Sequence, residues 1–165
     1  MKVLHLIRHA KSSWVDESLA DHDRPLFKTG VKACHRIGKK LFQEGCRFEN
    51  IYCSSALRAQ QTIKHILDTF PKKQREWKTD SNLYTFSSGE LWRWIHSIPD
   101  AEDSVLIVGH NPAFTQFVNS VANADLGHLP TCGYVRLMIP STWQDLNPGD
   151  AKVEAKLFPK MLSAL

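Results

Sequence analysis

Short apolar runs with the character of buried strands alternate along this chain with stretches of helical periodicity, and no other feature narrows its fold as much. Lys2 to Ile7 reads as a strand, Ile51-Tyr52-Cys53 as a short one and Val105 to Val108 as a buried one. Val31, Cys34, Ile37 and Leu41 recur near the 3.6-residue period of an amphipathic helix. Ile63, Ile66, Leu67 and Phe70 mark a second helix, which the hydroxyls of Ser54 and Ser55 are suited to cap. Leu91 to Ile98 is expected to form a third helix, and Phe114 to Val121 a fourth with Pro112 near its first turn, where a missing N–H costs least. Gly133 to Ile139 and Ala151 to Phe158 read as two late strands, joined by a loop holding Pro140, Asn147, Pro148 and Gly149. Alternation closed by a hairpin-like pair implies a three-layer α/β/α architecture, its sheet mainly parallel with one antiparallel strand toward the end. At 165 residues, one domain spanning the whole chain is the expectation.

Composition removes several function classes. Hydrophobic residues make up 42% and charged residues 23%, an ordinary globular balance that predicts a soluble protein rather than a disordered or membrane one. The first apolar run is broken by His5 and closed by Arg8, far short of a signal-peptide core or a membrane span, so a cytoplasmic location is expected. Cys34, Cys46, Cys53 and Cys132 lie far apart without a C-x-x-C pair, which argues against a zinc site and a disulfide framework. No metal and no cofactor are expected. The net charge of +4 suits an anionic substrate without requiring one. The densest basic run, Lys72 to Lys78 with Trp77 inside it, reads as a solvated loop rather than a nucleic-acid contact.

Ligands of such sheets bind beyond the carboxyl ends of the strands. Three chemically loaded segments fall there: Arg8-His9 after the first strand, Ser54 to Arg58 after the second, and Gly109-His110-Asn111 after the Val105 strand. Arg8 and Arg58 are permanently charged forks that match phosphate oxygens bidentately, and two of them imply an oxyanion. A neutral imidazole at His9 or His110 can act as a nucleophile toward phosphorus. Any one of these residues alone is more economically a satisfied strand-end histidine or a surface charge; four of them after three strands of one sheet point to phosphoryl chemistry.

The segments Leu6-Ile7-Arg8-His9-Ala10, Ser54-Ser55-Ala56-Leu57-Arg58-Ala59-Gln60-Gln61-Thr62 and Val108-Gly109-His110-Asn111-Pro112 resemble, in order and spacing, three signatures of the histidine phosphatase superfamily. Short length, Asp21-His22-Asp23-Arg24-Pro25-Leu26 leading to Gly30, and Leu83-Tyr84 before a helix make the chain similar to the SixA-type phosphohistidine phosphatases. The resemblance implies a phosphoglycerate mutase-like fold, His9 as nucleophile, and Arg8, Arg58 and His110 as the phosphate pocket. Asp21 and Arg24 match a less specific motif; substrate orientation at the rim and a local Asp–Arg pair in a turn are both open for them. Ala10 departs from the Arg-His-Gly signature, in which many relatives carry glycine.

Superfamily members acting on phosphate esters carry a carboxylic acid that protonates the leaving alcohol, and near Leu83-Tyr84 this chain offers none. Glu90, the nearest, sits where a carboxylate compensates a helix dipole. An imidazole leaving group, with a conjugate-acid pKa of about 6.5, needs less help. The expected substrate is therefore phosphohistidine on a phosphotransfer protein, transferred to His9 and then hydrolysed with the aid of a rim carboxylate such as Asp21 or Asp23. A chain this short has little left for a lid, and an open site suits a protein surface. Two other functions remain compatible with the residues: a broad-specificity phosphatase or mutase on small phosphate esters, and a module that binds phosphorylated protein without turnover. Neither the partner's identity, the phosphohistidine isomer nor the oligomeric state is written in the sequence.

Among the remaining features, Trp92 and Trp94, two apart on one helix, are expected to face inward and outward respectively or the reverse. Trp14 follows the nucleophile segment, where partner contact, core packing and a loop anchor are all open. His5 alternates with apolar neighbours and reads as a satisfied core histidine.

Overall fold

A computed structural model describes residues 1–71 and 76–162. Six strands form one sheet: β1 (Lys2–Arg8), β2 (Asn50–Cys53), β3 (Lys78–Thr79), β4 (Ser104–Gly109), β5 (Tyr134–Ile139) and β6 (Lys152–Leu157), in the order β3-β2-β4-β1-β5-β6. β1 pairs parallel with β4, β4 with β2 and β2 with β3, whereas β5 runs antiparallel to both of its neighbours, β1 and β6. The mainly parallel sheet with one opposed strand is as expected. β3 is an addition: two exposed residues on the sheet edge are too few for a period-two pattern to register. Lys78, read as part of a basic loop, lies in this strand, and Lys72 to Arg75 of that run are outside the described residues.

Helices α1 (Lys28–Gln43) and α2 (Leu57–Leu67) cover one face, and α3 (Ser88–His96) and α4 (Ala113–Val121) the other. The period-two alternation of the strands decides which residue feeds which layer. Leu4, Leu6, Val105 and Ile107 pack with Leu91, Ile95, Phe114 and Phe117 of α3 and α4. Ile7, Leu106 and Val108 face the other way, onto Cys34, Ile37 and Leu41 of α1 and Ala59, Ile63 and Ile66 of α2. β1 and β4 are thus buried on both faces, which is why they read as nearly unbroken apolar runs.

Two local expectations need correcting. Ser54 and Ser55 do not cap α2: its N-cap is Ala56 and carries no side-chain cap bond. Trp92 and Trp94 are not divided between inside and outside, since both pack against the α3/α4 core. Residues two apart point about 160° away from each other, and α3 has neighbours on both flanks: Trp92 packs edge-on against Phe117 (4.7 Å between centroids) and Trp94 against Tyr52 (5.2 Å). His5 is a satisfied core histidine, its Nδ1 2.7 Å from the Tyr134 hydroxyl. All four cysteines are buried free thiols. Among the described residues no helix is long and apolar enough to cross a membrane.

Candidate active site

The three parallel strands β2, β4 and β1 end at one edge of the sheet, and their register sets the site. Arg8 lies opposite Gly109 and Cys53 opposite Val108. The pairing continues one residue further, with His9 N–H donating to the Gly109 carbonyl (3.0 Å) and Ser54 N–H to that of Val108 (3.0 Å). His9, Ser54 and His110 therefore leave the sheet side by side. Gly109 fits here because a Cβ would come within 2.9 Å of the Phe114 ring.

His9 is held in one orientation. Its Nδ1 lies 2.7 Å from the carbonyl oxygen of Ala10, and since a carbonyl only accepts, Nδ1 carries the proton. The lone pair is then on Nε2, 3.4 Å from Nε of Arg58. Burial pushes the His9 pKa down to about 4, with the charges of Arg58, Arg8 and Arg24 adding to the effect against the opposing Ala10 bond. The ring is neutral at physiological pH, its basic nitrogen accepting from Arg58 Nε–H at 3.4 Å.

Arg58 enters from the first turn of α2 and is 2% exposed. Asp21, in a short 3-10 turn (Asp21–Asp23), binds it at both ends: Nη1 donates to the Asp21 carbonyl (2.7 Å) and Nη2 to its carboxylate (2.9 Å). That carboxylate also accepts from Arg24 (3.0 Å) and from the Tyr84 hydroxyl (2.7 Å). Partial burial works against ionisation, but these donors outweigh it and hold the Asp21 carboxyl well below the usual carboxylate range. Arg24 is itself buried and donates to Ser12 Oγ at 2.7 Å. Of the two readings left open for Asp21 and Arg24, the local pair is the one the structure shows, and that pair clamps Arg58.

Arg8 donates through Nη1 to the Leu129 carbonyl at 3.0 Å and lies 3.1 Å from Nε2 of His128. His110 is 1% exposed, its ring 5.2 Å from that of His9 and its Nε2 2.7 Å from Ser54 Oγ. Burial, with a smaller push from His9 and Arg58, takes its pKa down to about 3. Nε of Arg8 and Nδ1 of His110 are buried without a protein hydrogen-bond partner among the described residues. Buried polar groups are ordinarily satisfied, and these two nitrogens are left without a protein acceptor.

Several contributors escaped the sequence reading. Tyr84 braces Asp21 and packs edge-on against His110 at 5.4 Å. Thr62 accepts from the Ala10 N–H (2.9 Å) and donates to the Arg58 carbonyl (2.7 Å), joining the His9 segment to the clamp. A threonine hydroxyl inside an apolar helix face, among Ala59, Ile63 and Ile66, was the available signal. Ser54 orients His110, the task hidden behind its assignment as a cap. The Cys132 N–H donates to the carbonyls of Arg8 and His9 (3.0 and 3.1 Å), fixing the His9 segment from the β5 side; nothing local predicts that. Glu90 accepts from Thr85 Oγ1 at the start of α3, in keeping with a structural role. Asp23 pairs with His22 at 3.3 Å. Among the described residues no group of three histidine, cysteine or carboxylate side chains is arranged to hold a metal ion.

An α/β/α sheet gathers two arginines and two histidines at the carboxyl ends of its central strands, with the charge and unpartnered nitrogens that suit an oxyanion. Residues 4–93 match the histidine phosphatase superfamily (branch 1), and the chain belongs to that family. The protein Rv1276c of Mycobacterium tuberculosis is 31% identical over 164 residues, covering 93% of this chain and all of that one. A SixA structure from Agrobacterium tumefaciens matches with a TM-score of 0.81 at 23% identity, over 96% of this chain and 98% of that one. The protein histidine phosphatase SixA complexed with tungstate matches with a TM-score of 0.79 at 18% identity, over 98% and 99%. The fold is thus of the SixA and phosphoglycerate mutase type.

Proposed function

We propose that this protein is a phosphohistidine phosphatase that dephosphorylates a phosphorylated protein through a covalent phospho-His9 intermediate. The observation that carries the reading is the fixed tautomer of His9, whose basic Nε2 faces the Arg58 guanidinium beside the unpartnered donors of Arg8 and His110. The similar SixA structure is complexed with tungstate, a tetrahedral oxyanion like phosphate, which supports an oxyanion ligand for this fold.

In the first step Nε2 of His9 attacks phosphorus, forming a P–N bond in line with the P–N bond that breaks. The substrate imidazole, protonated on its other ring nitrogen, takes the electron pair of that bond and leaves as a neutral imidazole, while Nδ1 of His9 keeps its proton on the Ala10 carbonyl. Arg8 and Arg58 neutralise the equatorial oxygens as charge spreads over them. The Ser54 hydroxyl, donating to His110 Nε2, leaves the proton on Nδ1, where it donates to a phosphoryl oxygen. In the second step water attacks phosphorus as the bond to His9 breaks; its electrons return to Nε2, Nδ1 keeps its proton, and both protons of the water leave with phosphate, one of them passing on to solvent. Asp21 does not serve as the base of this step: its oxygens are committed to Arg58, Arg24 and Tyr84, and its basicity is suppressed.

One phosphohistidine is converted into another in the first step, which is therefore near balance, and an imidazole leaves without the placed acid that an alkoxide requires. The arginines supply the positive charge, so activity should persist in chelator. The test compares phosphate release from a phosphohistidine-bearing protein with that from a simple phosphate ester, with chelator present and with wild type beside His9→Ala. Loss of phosphohistidine turnover in the variant is expected; full turnover by His9→Ala overturns the mechanism, and preference for the ester moves the function to small-molecule substrates.

A further inference from the structure

The segment between the nucleophile and the Asp21 turn carries the least expected surface of the molecule. Trp14 is 71% and Val15 82% exposed, with Leu19 partly exposed nearby in sequence. An exposed tryptophan is uncommon in a protein whose other four tryptophans are partly or fully buried, and clustered exposed apolar side chains mark contact sites. Trp14 is also built in place. The Arg24 guanidinium carbon lies 3.5 Å from its ring centroid, a stacked cation–π contact, and Arg24 is fixed beneath it by Ser12 and Asp21. The loop is pinned by Ser13 N–H donating to the Pro25 carbonyl and Val15 N–H to Ser13 Oγ. A large aromatic held in advance loses little entropy on binding.

From the functional reading above, on which this inference rests, we infer that Trp14 and Val15 are the docking face for the protein that carries the phosphohistidine. A continuous set of contacts runs from that face to the pocket: Trp14 to Arg24, Arg24 to Asp21, Asp21 to Arg58 and Arg58 to His9. The loop that carries this face is thereby tied to the residues around His9, and a protein docked on it is held against the same part of the molecule. The loop's charges set the partner's chemistry. Asp16 and Glu17 follow the apolar pair and are exposed, and hydrogen bonds from Ser18 lower the Asp16 pKa and keep it ionised. The complementary occupant has an apolar patch beside its phosphohistidine, flanked by lysine or arginine.

Two synthetic phosphohistidine peptides test this, one with leucine and lysine flanking the phosphorylated residue and one with serine and glutamate, beside phosphoramidate as a P–N substrate without flanks. The expected result is a kcat/KM preference of about tenfold or more for the leucine–lysine peptide, carried by KM. That preference should vanish in Trp14→Ala and in Val15→Ser, while both variants hydrolyse phosphoramidate like wild type. Absence of the preference, its survival in both variants, or an equal loss on phosphoramidate overturns the docking assignment. So does a fall in mass by light scattering in the variants, which would give the face to a second copy of the chain. Failure of the functional reading looks different: wild type would then turn over phosphate esters and leave both phosphohistidine peptides intact.

Discussion

Arg58 is gripped at both ends by one residue, Asp21, whose carbonyl accepts from Nη1 at 2.7 Å and whose carboxylate accepts from Nη2 at 2.9 Å. The fork is thereby spent on holding position, and only Nε is turned toward His9. Removing the carboxylate's charge while keeping its shape should separate positioning from attraction. Asp21→Asn is expected to lower stability by about 1–3 kcal/mol, because a buried guanidinium loses its ionic acceptor. It should also enlarge the rise in Tm produced by added phosphate, since the pocket's positive charge is then less compensated. Thermal melts with and without phosphate check both, and an unchanged phosphate shift would contradict the clamp.

Thr62 joins two parts of the site that no strand pairing connects. Thr62→Val keeps the volume but leaves the buried Ala10 N–H without its acceptor, at a cost of about 1–3 kcal/mol. A fall in kcat should accompany the loss, as the nucleophile segment is freed from α2. Thr62→Ser should restore both, measured by urea unfolding and steady-state rates.

Ser54→Ala removes the hydroxyl 2.7 Å from His110 Nε2 which, in the proposed mechanism, leaves the proton on Nδ1. Phosphoryl transfer should slow by at least about tenfold, in the manner of a lost transition-state donor, with the fold intact by circular dichroism. A rate equal to wild type would show that His110 needs no such orientation.

Acid should act on folding before it acts on the nucleophile. The pKa values of His5 and His9 are pushed down to about 4 and that of His110 to about 3, chiefly by burial. Between pH 6.5 and about 4 the unfolded chain binds protons at these residues and the folded chain does not. The unfolding free energy therefore falls with falling pH, by up to about 1.4 kcal/mol per pH unit for each histidine. Denaturant titrations across that window check the slope. Phospho-enzyme formation in still-folded protein should stay level down to about pH 5; a decline centred at 6.5 would mean that His9 titrates as an exposed imidazole.

Gly30 brings α1 against the segment that follows His9. A Cβ there would lie 2.4 Å from the Lys11 carbonyl oxygen, a backbone atom with no rotamer to adjust. Gly30→Ala should cost about 1–3 kcal/mol as an overpacking change and lower kcat, although the substitution favours helix. A more stable, fully active variant would show that the loop moves freely.

The sequence by itself determined the helices, every strand but the two-residue β3, and the row of catalytic candidates, because these are local. Alternating apolar runs in β1 and β4 and the spacing of Cys34, Ile37 and Leu41 are imposed by burial on a fixed backbone period, and a parallel sheet must present its strand ends at one edge. Arg8, His9, Arg58 and His110 follow from that rule. What only the tertiary structure decided are the pairings across distance: Asp21 on Arg58, Thr62 under Ala10, Ser54 on His110 rather than on α2, and Tyr84 on Asp21. Ser54 shows the reason most plainly. Its hydroxyl suits a helix cap as well as a neighbouring imidazole, and only the register of β2 against β4 brings His110 within 2.7 Å. Hydrogen-bonding capacity belongs to the residue, whereas the partner is chosen by the packing of the whole sheet.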